Sequence, residues 1–557
     1  MDLVIFEENK PLVLEAFENG DFDYVDAASE VIETDFFRYI GAKAILTKLS
    51  ATYPTPRKKE EVPTWMYVAS NLSMRLHGEH AFHAYPLVVR LGGMMNAFGP
   101  KVGQKVVHPD TGDVTVACEG FNNKNHYDRQ SPCDEDFLRK MAKDTDPDAL
   151  MKWYRHDVVQ VLRSQRAFDK EGIFIGDASY LIVPDNPKYE GSERLRFDEH
   201  NHPVSREAYE KMSEKEKARC QWRRCYKMVT LLHTNRKLEF FIFVGVKVIS
   251  AKAHECPVLY EMIAQFVAAV GKGVMKRLIV DRGFLDGEAV STCKREYDID
   301  VLIPVRRKMD IYQDATALFQ LPEVDWVVSE APEPERKKPP RPRPRAISKR
   351  ERKRQEKLAK LKEEKPPVPP EKILVKTETA AIGDFRSWSS CTVPLTVVAN
   401  REHYADGHEE MWFLLDTKEA KDPQQAREEY HLRTAIEERY RQLKCFSDLT
   451  DFTSRAFSLV VNQVIFIMLA YSLLQLYLLR QGRRDLTKKT PPRIRQQLLP
   501  TASHIIIYWQ GYYGLFTTYE LIDILTRVSE EARRKLSEKS RRRRLELDQA
   551  LRNPRPP

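Results

Sequence analysis

The chain has 557 residues, of which 42% are hydrophobic and 31% charged, and its net charge is +9. This is the composition of a soluble globular protein, and the length exceeds what one compact core accommodates, so two to four domains are expected. The N-terminus lacks the basic start and apolar run of a signal peptide, and the eight cysteines lack the paired spacing of a zinc or disulfide framework. An intracellular protein with reduced cysteines is therefore expected.

The positive charge is concentrated in two segments. Residues 336–365 contain fifteen Lys or Arg and four Glu, and residues 533–557 contain ten basic and three acidic residues. Segments of this kind attract phosphate backbones without reading the base sequence. From charge alone, a solvated linker and a solubilising tail explain them equally well.

The first 170 residues divide into two predicted regions. Residues 1–100 are expected to be helical, with one helix opening at Pro63. Residues 101–170 form a connecting region, turn-rich at first and then helical. Its two helices open at Ser131-Pro132 and Asp146-Pro147, which pair an N-cap residue with a proline.

Residues 171–305 carry an alternation of strand and helix patterns. Strands are predicted at 172–183, 226–234, 237–250, 276–281 and 299–305, and helices at 257–273 and 286–297. Strands 226–234 and 237–250 form a hairpin joined at Asn235-Arg236. This order predicts an α/β layer on a mixed sheet, which is also the order of an RNase H-like core.

The remaining chain is predicted as three regions. Residues 306–421 form a β-rich insertion with strands predicted at 390–400 and 410–417, and a basic, Pro-rich excursion over 332–370 interrupts it. Residues 422–480 return to the core with a helix that opens at Asp422-Pro423. Residues 481–557 form a helical C-terminal region with a basic tail.

Residues 456–479 contain no charged side chain over 24 positions, which is long enough to cross a bilayer. Asn462, Gln463 and Gln475 interrupt the apolar run, and the preceding helix lies close in sequence. A buried helix against the back of the sheet is therefore favoured over a membrane span, and no membrane association is expected.

One helix face is predicted to carry Tyr430, Arg433, Glu437 and Lys444, with two, three and six residues between them. At about 100° per residue, these side chains fall in a stripe roughly 60° wide. Here the sequence resembles the insertion-sequence DDE transposases that carry the Y-(2)-R-(3)-E-(6)-K pattern. The segment VDRGF (280–284) resembles the family's second acidic motif, and GDASYLIV places Asp177 within the first strand. The resemblance covers about 172–450.

The resemblance implies an RNase H-like catalytic core split by the β-rich insertion. Asp177, Asp281 and Glu437 would be the catalytic residues and would hold two Mg²⁺ ions, with Mn²⁺ as a substitute, since Mg²⁺ requires oxygen ligands. Tyr430, Arg433 and Lys444 would bind phosphates of the transposon end, and Arg441 on the same helix is also predicted to bind DNA.

The implied reaction is cleavage at transposon ends followed by transfer of the 3′-OH into target DNA. The expected partners are double-stranded DNA, as terminal inverted repeats and target, and a second copy of the chain in a homodimer. The helical regions at the two termini, with residues 1–100 foremost, would bind the DNA end or the partner subunit. The expected location is the nucleoid in the cytoplasm of a bacterium or archaeon. Two alternatives stay open: an RNase H-like nuclease that cuts without joining, and a catalytically silent, transposase-derived DNA-binding protein.

Each predicted site residue also has a structural explanation. Asp281 could cap the following helix, Asp177 could be a hydrogen-bonded core carboxylate, and the charged stripe could be a solvated face with ion pairs between neighbouring turns. Asp185 competes for the first acidic position, although it lies beyond the strand in a Pro-rich turn.

Other residues are weaker candidates for base stacking or metal binding. The resemblance suggests that Trp326 or Trp388 could stack on an extruded base, although either could equally be a core residue. A zinc site at Cys220, Cys225 and His233 lacks a fourth ligand at suitable spacing, and the metal-ligand residue types at 198–202 (DEHNH) lie in a polar loop.

Overall fold

The computed structural model describes residues 6–28, 31–59, 62–91, 93–94, 97, 105–107, 114–116, 133–330, 373–419, 421–498 and 504–552. The chain divides into two compact units, the first comprising Met1–Val274 and Thr434–Pro557 and the second Met275–Arg433. The predicted basic excursion 332–370 and the predicted helix opening at Ser131-Pro132 lie outside the described residues.

The helices are numbered in chain order. Those before the second unit are α1 Lys10–Asn19, α2 Val31–Ala42, α3 Ile45–Thr52, α4 Thr64–His77, α5 Tyr85–Leu91, α6 Glu135–Asp144, α7 Pro147–Trp153, α8 Val159–Ser164, α9 Arg206–Lys211, α10 Glu214–Arg219 and α11 Glu255–Val270. The second unit contains α12 Gly287–Tyr297, α13 Asp310–Leu318 and α14 Pro423–His431. The first unit resumes with α15 Thr434–Phe446, α16 Phe457–Arg480, α17 Pro491–Leu498, α18 Thr518–Arg527 and α19 Glu530–Arg552.

The strands follow the same numbering. Those of the first unit are β1 Glu7–Glu8, β2 Tyr24–Ala28, β3 Lys105–Val107, β4 Val114–Val116, β5 Ile173–Val183, β6 Glu193–Phe197, β7 Gln221–Thr234, β8 Ile242–Ser250, β15 His504–Trp509 and β16 Tyr512–Thr517. Those of the second unit are β9 Arg277–Val280, β10 Asp300–Pro304, β11 Val327–Glu330, β12 Leu374–Phe385, β13 Leu395–Tyr404 and β14 Glu409–Asp416.

The long strand β7 organises the central sheet of the first unit. It pairs antiparallel with β5 along one edge, from Val183 opposite Arg224 to Ile173 opposite Thr234. Its other edge pairs first with β6 and then with β8. The predicted hairpin is confirmed, although β8 begins at Ile242, later than expected. β6 was not predicted.

Helix α16 is the apolar segment predicted as a buried helix, and that prediction is confirmed. It is long and apolar enough to cross a membrane, but its side chains are largely buried against other parts of the first unit, including α4 and β8. Its interrupting polar residues have hydrogen-bond partners inside the core. Asn462 Nδ2 donates to Tyr67 Oη at 2.7 Å, and Gln475 Oε1 accepts from the Phe241 amide at 3.2 Å. Buried polar groups with such partners are well tolerated in a protein interior.

A second sheet of the first unit joins the two ends of the chain. Its strand order is β1-β16-β15-β2, with β1 parallel to β16 and the other pairs antiparallel. A small core of Val13, Phe17, Ile507, Phe516 and Ile524 fills the space between this sheet and helices α1 and α18. Both terminal regions contain helices, as predicted, and each also contributes two strands to this sheet, which were not predicted.

The second unit contains a six-stranded sheet in the order β11-β12-β13-β14-β10-β9, in which β10 and β9 are parallel and the other pairs are antiparallel. The predicted strands at 276–281, 299–305, 390–400 and 410–417 correspond to β9, β10, β13 and β14. β12 was not predicted. The proposed domain boundaries stay predictions.

A buried ion network stabilises the second unit. Arg277 on β9 binds both carboxylate oxygens of Asp416 at 2.6 Å, and its Nε donates to Glu429 at 2.9 Å. All three residues are at least nine-tenths buried. The network ties β9 to the end of β14 and to α14, which carries Tyr430.

The predicted continuous helix from Asp422 through Lys444 is wrong. Asp422 caps α14 as expected, accepting from the Gln424 amide at 3.0 Å, but α14 ends at His431 and α15 begins at Thr434. At the interruption, the Leu432 amide donates to Glu429 O at 3.1 Å and the Arg433 amide to Tyr430 O at 3.0 Å. These bonds span three residues, as in the tightened last turn of a helix.

Candidate active site

Asp177 lies in the middle of β5, opposite Thr230 of β7, and only 8% of its surface is exposed. The strand prediction for 172–183 is thus confirmed, and Asp177 is in its interior. The competing residue Asp185 lies beyond β5 and pairs with Arg194 at 2.8 Å. The structure thus gives Asp185 a surface ion pair.

Helix α15 is attached to β5 beside Asp177. Tyr440 Oη donates to the carbonyl oxygen of Asp177 at 3.2 Å and lies 2.6 Å from Thr230 Oγ1. One turn later, Lys444 Nζ donates to Ser179 Oγ at 2.8 Å and to Tyr180 O at 3.0 Å. The side chains that attach α15 to the strand thus flank the backbone and carboxylate of Asp177.

The electrostatic environment of Lys444 reflects this position. Burial lowers the pKa of its ammonium, and the nearby carboxylate of Asp177 opposes that shift. An ammonium has three N–H donors, and the hydrogen bonds to Ser179 and Tyr180 engage two of them. Glu437 lies two turns before Lys444 on α15 and its side chain is exposed to solvent.

Asp281 lies in the second unit, directly after β9. Its Oδ1 accepts from the Gly283 amide at 2.7 Å and caps the short 3₁₀ turn Arg282–Phe284. The capping role considered for Asp281 is therefore present. It engages one carboxylate oxygen, and within the described residues the other oxygen makes no hydrogen bond.

Tyr430 and Arg433 lie together at the end of the second unit. Burial raises the pKa of the Tyr430 phenol. The Arg433 guanidinium, through its charge and a hydrogen bond to the phenol, lowers this pKa, and the negative charge of Asp281 raises it. Asp281 therefore lies within electrostatic range of Tyr430. The structure associates Tyr430, Arg433 and Asp281 within the second unit, and Asp177 with Lys444 within the first.

The remaining predicted DNA contacts have partners of their own. Arg441 is exposed on α15 and binds both oxygens of Glu438 at 2.7 Å. The Arg401 guanidinium lies 4.1 Å from the centroid of the Trp326 ring, and this ring also contacts Phe319. Trp388 is partly buried and, among the described residues, has no aromatic ring or cation stacked on it.

In the two weaker metal-site candidates, the side chains contribute to the fold through burial and hydrogen bonds. Cys225 is buried in β7, and His233 lies between two backbone groups, with Nδ1 2.9 Å from Ile173 O and Nε2 2.9 Å from the Asp169 amide. In the segment 198–202, Asp198 accepts from the amides of His200 and His202 and shapes a turn.

A different group has the geometry of a metal site. The ligand atoms of His80, Asp448 and Asp451 lie within 4.8 Å of one another. His80 Nδ1 is 2.8 Å from Asp448 Oδ2, so the pair also forms an ordinary ion pair. No local sequence pattern indicates this group, because His80 is far from Asp448 and Asp451 in the chain.

Comparison with known families assigns the chain. The family model described as the transposase DDE domain matches residues 171–473, more than half of the sequence. The chain belongs to the DDE transposase family. The match includes all three predicted catalytic carboxylates, and with the mixed α/β structure it confirms the predicted RNase H-like fold class. A search of curated proteins finds no match.

Membership of the DDE transposase family supports a role in DNA transposition, DNA as the partner and divalent metal ions as cofactors. Sequence reasoning missed two groups around the predicted residues, Tyr440 and the Arg277 network. Tyr440 lies three residues after Glu437, so helical spacing could have indicated it. No local pattern relates Arg277 to Asp416 and Glu429.

Proposed function

We propose that the protein cleaves DNA at the ends of a mobile element and joins the freed 3′-OH to target DNA, with Asp177, Asp281 and Glu437 as the catalytic carboxylates. The observation that carries this proposal is the family match over 171–473, a range within which all three residues lie. The attachment of α15 beside Asp177 gives it additional support.

The three carboxylates offer only oxygen donors, which fits Mg²⁺ and Mn²⁺. When bound, a pair of such ions would activate the attacking oxygen and stabilise the leaving 3′ oxygen of an in-line displacement. Water is the nucleophile for cleavage and the freed 3′-OH is the nucleophile for joining. In each step one P–O bond forms as another breaks.

The basic side chains would position the DNA. Arg433 is suited to bidentate phosphate contact, and Lys444 can offer its third N–H while it stays bound to β5. Tyr430 would add a hydroxyl donor. Arg441 would contact DNA only after releasing Glu438.

We further propose that the protein acts in the cytoplasm as a homodimer that pairs two transposon ends. Each subunit would bind one terminal inverted repeat. Chromatographic sizing of the protein with and without labelled end DNA tests this arrangement. A complex with one protein chain and one DNA end at saturation would contradict it.

Terminal inverted repeats sought in the DNA flanking this gene provide the substrate. Wild type, Asp281→Asn and the exposed control Asp314→Asn would be incubated with labelled ends in Mg²⁺, and cleaved and joined products scored. Asparagine keeps an acceptor for the Gly283 amide, so the cap at Asp281 survives the substitution. We expect wild type and Asp314→Asn to cleave and join, and Asp281→Asn to do neither.

The alternatives predict different products. Cleavage without joined products would favour the RNase H-like nuclease. DNA binding without any metal-dependent cleavage would favour the silent DNA-binding protein. Equal activity of wild type and Asp281→Asn would remove Asp281 from the proposed site.

A further inference from the structure

A cavity of about 930 Å³ lies within the first unit, between the end of α4, helix α6 and the loop that precedes α16. Its lining includes six basic or imidazole side chains, which are Arg75, His80, His83, Arg139, Lys143 and Arg455. Neither Asp177 nor Glu437 lines it.

Arg75 is the buried member of this set. Only 5% of its surface is exposed, and its Nε has no hydrogen-bond partner among the described residues. One terminal nitrogen donates to Glu79 O at 2.6 Å. Burial lowers the pKa of the guanidinium to about 10, so the group stays charged at neutral pH. A buried, charged donor without an acceptor is costly unless a ligand supplies one.

Three carboxylates, those of Glu135, Asp136 and Glu190, also line the cavity, but they do not pair with all of its cations. Asp136 is paired with Arg139 at 3.2 Å on α6. Glu190 accepts from the Phe457 amide at 3.0 Å. Within the described part of the chain, the exposed side chains of Lys143 and Arg455 form no ion pair. These two cations and Arg75 can therefore serve an anion from the cavity.

We propose that this cavity binds the phosphate group of a phosphate ester, with Arg75 at its base and Lys143 and Arg455 at its mouth. A tetrahedral phosphate offers acceptors in several directions, and guanidinium groups match its geometry. The cavity exceeds the volume of one phosphate, so it also accommodates part of the attached organic group. The ester is either the backbone of bound DNA or a small phosphorylated molecule. The proposal does not depend on cleavage or strand transfer.

The test uses the full chain and two probes, a labelled duplex of unrelated sequence and inorganic pyrophosphate. The variant Lys143→Gln with Arg455→Gln removes the exposed cations at the mouth. The matched control, Lys152→Gln with Arg163→Gln, removes the same charge from exposed positions on α7 and α8 that do not line the cavity. Duplex affinity is measured by anisotropy at several salt concentrations, and pyrophosphate binding by the shift in melting temperature.

If the ester is the DNA backbone, the cavity variant binds the duplex roughly three- to tenfold more weakly than the control, and its salt slope falls by about 1–2. If the ester is a small molecule, duplex affinity is unchanged, and pyrophosphate raises the melting temperature of wild type and control but not of the cavity variant. Identical behaviour of variant and control with both probes overturns the proposal. Arg75→Gln, used only if its melting temperature matches wild type, is expected to reproduce the cavity variant.

Discussion

Replacing Arg277 by Met would test how strongly the buried ion network holds the second unit together. The substitution keeps most of the aliphatic stem of the side chain but removes the guanidinium that pairs with the carboxylates of Asp416 and Glu429. Both are more than nine-tenths buried. Removing one partner from a buried ion pair costs about 3–5 kcal/mol, mainly because an uncompensated charge stays in the interior.

The size of the second unit converts this cost into a measurable shift. At about 2–4 °C per kcal/mol for a domain of this size, the melting transition is expected to fall by roughly 6–20 °C. Differential scanning calorimetry of the full chain measures the shift. The control is Arg386→Met, which removes an exposed ion pair with Asp384 in the same unit. Exposed pairs of this kind contribute about 0–1 kcal/mol, so little change is expected.

A triple variant separates charge from shape. Combining Arg277→Met with the isosteric changes Asp416→Asn and Glu429→Gln removes all the buried charges, and is expected to regain part of the stability that Arg277→Met loses. A shift for Arg277→Met no larger than that for Arg386→Met would refute the reasoning. A triple variant as unstable as Arg277→Met would show that packing, not charge, dominates.

Three other predictions concern single contacts. Burial lowers the pKa of His233 to about 4. The pKa of histidine in the unfolded chain is near 6.5, so the unfolded state takes up the proton first as the pH falls. About 3 kcal/mol of stability is therefore lost between about pH 6.5 and pH 4. Urea unfolding at both ends of that range measures this, and His233→Gln should show a smaller loss. Gly287→Ala should destabilise the second unit, because the added Cβ would lie 2.6 Å from the backbone carbon of Ser390, whereas Gly383→Ala meets nothing within 4 Å and should melt like wild type. Tyr440→Phe removes the hydrogen bonds of the phenol to Thr230 and to the Asp177 carbonyl and should lower the free energy of unfolding, measured by chemical denaturation, by about 1–3 kcal/mol. An unchanged unfolding curve would contradict the role of Tyr440 in attaching α15.

The sequence predicted the elements whose signals are local. The alternation of strands and helices over 171–305 was recovered because buried strands and amphipathic helices have distinct periodicities. The Asp-Pro openings at Asp146 and Asp422 were recovered because capping requires only neighbouring residues. Asp177 within its strand and Asp281 at a strand end were placed correctly for the same reason.

Features that depend on distant residues could not be predicted in this way. The periodic stripe from Tyr430 to Lys444 indicated one helix, but α14 ends at His431. Two residues before that end, Glu429 binds Arg277 on β9, a contact that no local pattern indicates. The cavity lined by Arg75, Lys143 and Arg455 is formed by residues that are up to several hundred positions apart in the sequence. β1 and β2 have their partners at the other end of the sequence.

That last pairing constrains how the protein is made. β2 ends at Ala28 and its partner β15 begins at His504, so the ribosome must add more than 470 residues before they can meet. At about 5–20 residues per second, the first strands wait on the order of 25–100 s without their native neighbours. During synthesis these strands are open to mispairing or to chaperones. A message truncated before His504 would yield a chain whose N-terminal strands never acquire their partners.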